Sequence, residues 1–290
     1  MVSIKKKYTP RKIHGICHLS VIPVRSNPTD HSILIGQILY GETCQIITKK
    51  HNDWARVQLD WDGLEGWIRY RQITPITEKQ HVKLGKRVGY ALELVQSSLS
   101  GNQLIPLVLG SSLPQYDGLS YVMPDEKYIY NGLVYAPHEQ SVKLDWIRKI
   151  AMKYLHAPYL PGGRTPFGID TGAFVQMVYK MIGIRLSRIP AYQAKEGDWI
   201  HFVHEARPGD LAFFENQDGR IDHAGIVLGD GKIIHVDECV RIDELDHFGI
   251  YNRERKNYTH PLRMIRRVIE NKENEESEDL DQTVLSQGKE

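Results

Sequence analysis

The chain has 290 residues, 41% of them hydrophobic and 25% charged, a globular composition with room for about two or three domains. A formal net charge of +1 supplies no field that would draw in nucleic acid or an anionic membrane surface. Three cysteines, Cys17, Cys44 and Cys239, are too sparse for a disulfide framework and lack metal-type spacing.

Residues 1–12 are basic (Lys5, Lys6, Lys7, Arg11, Lys12), but no apolar run follows them. The sequence therefore shows neither a secretory leader nor a membrane-spanning segment. A complete chain of this kind is expected in the cytoplasm, and one whose leader has been removed belongs to the cell envelope.

From 13 to 76 the pattern is all-β. Short runs at 16–24, 32–39, 44–48, 54–59 and 66–69 are separated by Pro28, Gly41, Asn52-Asp53 and Asp62-Gly63, which suggests a small barrel. Pro23-Val24-Arg25-Ser26-Asn27-Pro28 and Gly63-Leu64-Glu65-Gly66-Trp67-Ile68 resemble the first and last strands of bacterial SH3-like domains. Trp54, Trp61 and Trp67 are candidates for a ligand platform, or for core in the case of Trp54 and Trp67. Cys17 and Cys44 occupy apolar strand positions and read as packing. From 77 to 138 weaker strand runs recur at 88–95, 104–109, 120–123, 127–130 and 133–135, between Gly110, Pro114, Asp117-Gly118 and Asn131-Gly132. This stretch reads as a divergent second SH3-like unit, with Tyr116 a candidate for the rim of a cleft shared with the next domain.

A third unit, 139–268, begins with an amphipathic helical pattern over 142–155, ended by Pro158 and Pro161. The Gly/Pro-punctuated loop 162–169 then runs into a second helical pattern, Phe174, Val175, Val178, Met181 and Ile182. Asp170 is placed to N-cap that helix. Side chains at such a corner sit above unpaired backbone N–H groups that favour developing negative charge, so it suits a nucleophile. The corner residue is Thr171. A further helix is expected over 190–197, and strands at 211–214, 223–228, 232–236 and 261–268 make this an α+β unit. The residues from 269 onward, rich in acidic and amide side chains, read as a disordered tail.

The hairpin around Gly229-Asp230-Gly231 constrains two histidines. With a three-residue loop Leu228 faces Lys232 and Gly225 faces His235, which puts His223 and His235 on one face. A two-residue Asp-Gly loop would separate them. A working histidine pair therefore predicts the odd loop.

Gly162-Gly163-Arg164, Asp170-x-Gly172-x-Phe174, Pro208-Gly209-Asp210-Leu211, His223-x-Gly225-Ile226 and Gly229-Asp230-Gly231-x-Ile233-Ile234-His235 together resemble the NlpC-type papain-like peptidases. These are bacterial enzymes that cleave peptidoglycan stem peptides. With SH3-like domains in front, the chain is similar to the subgroup that hydrolyses γ-D-glutamyl–diamino-acid bonds in L-Ala-γ-D-Glu peptides. The resemblance implies a papain-like fold over 139–268, with His223 as base and His235 as the residue that orients it. It places substrate binding at Asp170, Gly172, Arg188 and position 189, and gives Asp170 the free α-amine of the substrate.

Where that family carries Cys-Ser-Gly after the aspartate, this chain reads Thr171-Gly172-Ala173, and the carboxylate expected at position 189 is Ile189. A thiol of pKa near ~8.5 is readily ionised by an adjacent imidazole. A threonine hydroxyl is far less acidic, its β-methyl restricts rotation, and threonine nucleophiles rely on a free N-terminal amine that position 171 lacks. Losing a triad nucleophile costs on the order of 10⁶ in turnover in a serine protease.

Two functions stay open: a non-catalytic protein that binds cell-wall peptides of L-Ala-γ-D-Glu-diamino-acid type or a protein partner, and an active endopeptidase using Thr171, His223 and His235. In a third possibility Ile189 or Tyr192 plugs the cleft of a pure scaffold. Cys239 is placed for packing, and a zinc set of His223, His235 and Cys239 has no recognised spacing. No cofactor and no metal are expected.

Overall fold

In the computed structural model, residues 12–50, 52–139 and 144–269 are described. The tail expected from 269 thus falls, beyond that residue, outside the described part. The first unit is a seven-stranded antiparallel sheet in the order Leu34–Leu39, Val21–Arg25, Glu65–Arg69, Trp54–Leu59, Thr43–Lys50, Ile13–Cys17, Ile73–Ile76. Alternate residues along it bury Cys17, Ile22, Val24, Ile38, Cys44, Val57 and Ile68 in one core. Burial pushes the Cys17 thiol up to about 12, which leaves it inert.

Thr77 opens α1 (Glu78–Leu84) with a reciprocal capping box to Gln80, a helix the apolar pattern alone did not announce. The second unit follows as a four-stranded and a three-stranded sheet between residues 89 and 135. Its core includes Leu107, Leu113, Tyr121 and Tyr130 and takes in Tyr40 of the first barrel, whose hydroxyl accepts from Tyr121 at 3.1 Å.

In the third unit α2 (Leu144–Lys153) and α3 (Thr171–Met181) pack on a seven-stranded sheet. Its order is Asp198–Ile200, Asn257–Arg267, Leu211–Glu215, Ile221–Gly229, Lys232–Val236, Val240–Leu245, Gly249–Asn252, and the last strand pairs back with Asn257–Arg267. The short α4 (Pro190–Gln193) ends four residues earlier than the sequence pattern suggested. Gly197 passes so close to the Arg267 carbonyl, with φ of +74°, that only a glycine fits there, and the chain turns into the strand Asp198–Ile200.

All three units meet at α3. Every residue from Gly172 to Met181 is buried, including Gln176 and Lys180, so the helix is surrounded rather than half-covered. The Gln176 amide donates to Asp62 of the first barrel at 3.0 Å and to the Leu186 carbonyl. Lys180 Nζ donates to Glu42 of the first barrel at 2.6 Å and to Gly110 O of the second unit at 2.9 Å. Arg164 completes this junction with a two-pronged contact to Glu42, at 2.8 and 3.0 Å. Among the described residues no helix is long and apolar enough to cross a membrane.

Candidate active site

Asp170 caps α3 by accepting from Ala173 N at 2.9 Å. Its carboxylate also accepts from Gly162 N at 2.8 Å and is gripped by both terminal nitrogens of Arg188. Four donors thus already meet the carboxylate for which the resemblance implies a substrate amine. Gly172 is buried, and a Cβ there would lie 2.3 Å from the Arg188 carbonyl, so it serves close packing under the loop. Ile189 and Tyr192 are 48% and 53% exposed, so neither fills a cleft. Tyr116 is not brought to the site. It is buried in the second unit's core, with its hydroxyl donating to Gly118 O at 2.7 Å, because its turn folds inward under Gly89.

Thr171 is the first residue of α3 and lies against the strand Ile221–Gly229. Its Oγ1 donates to Ala224 O and accepts from Ala224 N, both at 2.9 Å. Among the described residues its hydroxyl makes no hydrogen bond to an imidazole.

The histidine pair does form, by a different device from the one expected. Gly225 faces His235 as the three-residue loop required, but Gly229, not Leu228, faces Lys232. The loop is therefore the two residues Asp230-Gly231, both at positive φ as a type I′ turn demands, and a bulge at Leu228 absorbs the extra residue. The bulge restores the parity that a two-residue loop would have lost.

His223 Nε2 lies 3.0 Å from His235 Nδ1, and His235 Nε2 lies 3.0 Å from Asp243 Oδ2. Arg241 holds both Asp243 oxygens, at 2.7 and 3.1 Å. Burial raises the Asp243 carboxyl, but the hydrogen bonds from His235 and Arg241 outweigh it and keep the group below the usual carboxylate range. An ionised Asp243 can only accept, so His235 Nε2 carries the proton and its Nδ1 accepts from His223 Nε2–H. The remaining lone pair is then on His223 Nδ1. Burial, together with the neighbouring His260 and His235, holds His223 well below the ordinary histidine range, so the ring is neutral near pH 7. His260 stacks on His223 with centroids 3.9 Å apart.

Asp243, Arg241 and His260 were not picked out from sequence. The signal for the first two was available: on the strand Val240–Leu245, Arg241 lies directly opposite His235 and Asp243 shares its face two residues on. His260, on a strand distant in sequence, left no such signal. Cys239 is only partly buried, sits outside this cluster and pairs by backbone with Pro158, so no described cysteine stands beside either imidazole.

A helix N-terminus facing a histidine-bearing antiparallel sheet, behind an SH3-like barrel, is the arrangement of a papain-like domain. Residues 156–260 match the NlpC/P60 family, and residues 24–73 match the bacterial dipeptidyl-peptidase Sh3 domain. This chain carries an NlpC/P60 domain behind a bacterial SH3 domain. It is 26% identical over 219 residues to the gamma-D-glutamyl-L-lysine dipeptidyl-peptidase of Bacillus subtilis, covering 70% of this chain and 72% of that one. It is 25% identical over 239 residues to dipeptidyl-peptidase 6 of Lysinibacillus sphaericus, covering 72% and 82%. An NlpC/P60 family protein from Bacillus cereus superposes with a TM-score of 0.75 at 19% identity, over 89% of this chain and 100% of that one, and shares the fold.

Proposed function

We propose that this chain is a non-hydrolytic relative of the γ-D-glutamyl dipeptidyl-peptidases, one that binds cell-wall stem peptides without cleaving them. The observation that carries this reading is the pairing of Thr171 with Ala224: the hydroxyl at the helix corner is used up as a strut between helix and sheet. The imidazole relay stays poised to take a proton at His223 Nδ1 and has no acidic partner to take it from. A relay without a nucleophile is a poor hydrolase.

Peptide recognition is supported by a polar groove of about 470 Å³ between the first barrel and the third unit. Asp62, Glu196 and Arg185 line it, and Trp61 gives it a flat wall on which the Arg185 guanidinium sits 5.1 Å from the ring centroid. Acidic groups and a guanidinium side by side suit a peptide that carries both a free amine and carboxylates. This shifts the amine contact away from the saturated Asp170.

The test is incubation of the pure protein with L-Ala-γ-D-Glu-L-Lys, followed by mass spectrometry, beside a Thr171→Cys variant, with calorimetric titration of the same peptide. Binding heat with no product from the wild type, and product from the variant, is the expected result. Product from the wild type would establish the competing reading, which the intact His223–His235–Asp243 relay favours, that Thr171 still attacks. Absence of heat would remove peptide binding.

A further inference from the structure

The first barrel holds a second cluster of metal-type ligands, far in sequence from the imidazole relay. His14 lies on the strand Ile13–Cys17, Asp60 follows the strand Trp54–Leu59, and His81 is in the last turn of α1. One ligand atom from each lies within 4.8 Å of the other two. His81 Nε2 is already 2.8 Å from Asp60 Oδ2, and the His14 and His81 rings stack at 3.9 Å with an interplanar angle of 11°.

His14 is the unusual member. It is only 6% exposed, and its Nδ1 is buried with no hydrogen-bond partner. A buried imidazole nitrogen left without a partner costs about 1–3 kcal/mol, so a site of this kind calls for an explanation. His14 is held there on both sides: the strand register pairs it with Gln45 and Ile76, and the capping box at Thr77 fixes where α1 places His81. The orphan nitrogen is therefore set by the framework.

We propose that His14, Asp60 and His81 form a site for a divalent transition ion of the zinc type, which clamps α1 to the first barrel. Two imidazoles and one carboxylate are a common borderline-soft ligand set with a fourth position left for water. Bonds of ~2.0–2.1 Å to a tetrahedral ion place neighbouring ligand atoms about 3.3 Å apart. The His81–Asp60 pair is near that spacing, so an ion takes the place of their shared proton, while His14, within 4.8 Å, closes in as the two rings tilt out of their near-parallel stack. Asp60 contributes a negative charge, and both Asp60 and His81 are about a quarter exposed at the side chain, which leaves a path for entry. The other trio, His223, His235 and His260, is a poorer candidate because its nitrogens are bonded to one another, to Asp243 and to Thr259.

The site runs against the expectation of no metal drawn from sequence, where residues 14, 60 and 81 share no recognisable spacing. Asp60 also borders the proposed peptide groove, but the test of the metal site uses no peptide and its outcome is independent of peptide binding.

The experiment is titration of the chelator-treated full chain with zinc chloride by calorimetry, with cobalt chloride followed by visible absorption. His14→Ala and His81→Ala are compared with His260→Ala, and melting is followed with and without zinc. The expected result is one ion per chain, an intense tetrahedral cobalt spectrum, a rise in melting temperature with zinc, and at least a tenfold loss of affinity in the first two variants only. Should either variant fail to fold, imidazole nitrogen chemical shifts of the wild type, with and without zinc, identify the ligating rings directly. No binding, binding unaffected by His14→Ala, or shifts confined to His223, His235 and His260 would overturn the proposal.

Discussion

Two buried polar clusters lie at opposite ends of α3, and they solve the problem of burial in opposite ways. At the helix N-terminus, His223, His235 and Asp243 form a line of hydrogen bonds in which the one formal charge is matched by Arg241. Near the C-terminus, Glu42, Arg164 and Lys180 are all less than a tenth exposed and meet as charges. The first cluster stays cheap by keeping His223 neutral, which is also what a base requires. The second carries two cations on one carboxylate and tolerates this because each group has several partners, among them Leu39 N on Glu42 and Gly110 O on Lys180. One is a chemical device on a single sheet, and the other is a rivet through three units.

The largest effect is expected where the relay is given a nucleophile. In a Thr171→Cys background, Asp243→Asn releases the constraint on the His235 tautomer and should lower peptide turnover by about 10²–10⁴-fold, on the analogy of an aspartate-to-asparagine change in a serine-protease triad. Mass-spectrometric rates on the two variants check it. Equal rates would mean that Asp243 serves the sheet and not the relay.

The rivet is broken by Glu42→Gln, which leaves Arg164 and Lys180 buried together with no carboxylate in contact, Asp62 acting on them only from beyond ion-pair distance. A loss of about 3–5 kcal/mol in urea unfolding is expected. Adding Lys180→Met should return part of it, since a neutral chain of similar length removes the surplus cation. A loss below ~1 kcal/mol for Glu42→Gln would show that water reaches the junction.

The two clusters were unequally legible in the sequence, for a physical reason. Residues 223 to 243 form consecutive antiparallel strands, so period-two alternation and one turn length fix which side chains meet, and the His223–His235 pairing could be read before any coordinates. Even there the turn was misread, because Gly229-Asp230-Gly231 is compatible both with a three-residue loop and with a two-residue turn plus a bulge. Arg164 and Lys180 lie 122 and 138 residues beyond Glu42, and the three sit on a two-residue strand, a helix and a barrel turn respectively. No periodicity links them, and Lys180 in particular reads as a solvated helix position. Asp170 was placed correctly as an N-cap from its local pattern, whereas its capture by Arg188, eighteen residues on, depends on tertiary packing.

Acid should separate the clusters in two steps. The native His223 ring resists protonation that the unfolded chain accepts below its ordinary value of 6.5, so stability falls as pH drops through that region. Burial alone would raise Glu42, but Arg164 and Lys180 overcome it and hold the carboxyl at about 2 against an ordinary 4.5. Its contribution is complete above 4.5 and is lost between there and about 2. Urea midpoints measured from neutral to acid pH should show both declines. His223→Asn should shrink the upper decline, to which His14, His18 and His260, also held below 6.5, contribute as well. Glu42→Gln should shrink the lower, which Asp243 and Asp246 share.

The smallest effect bears most directly on what residue 171 is for. If its hydroxyl is a strut, Thr171→Val, which keeps the shape and removes the oxygen, leaves both backbone groups of Ala224 without that partner and should cost about 1–3 kcal/mol. Thr171→Ser keeps the oxygen and sheds a methyl, so its loss should be smaller than that of Thr171→Val. A nucleophile would predict another pattern: valine and serine would differ in turnover, while stability would barely register the missing hydroxyl. Thermal melts of the three proteins, read beside the peptide assay, therefore decide between a corner kept for structure and a corner kept for chemistry.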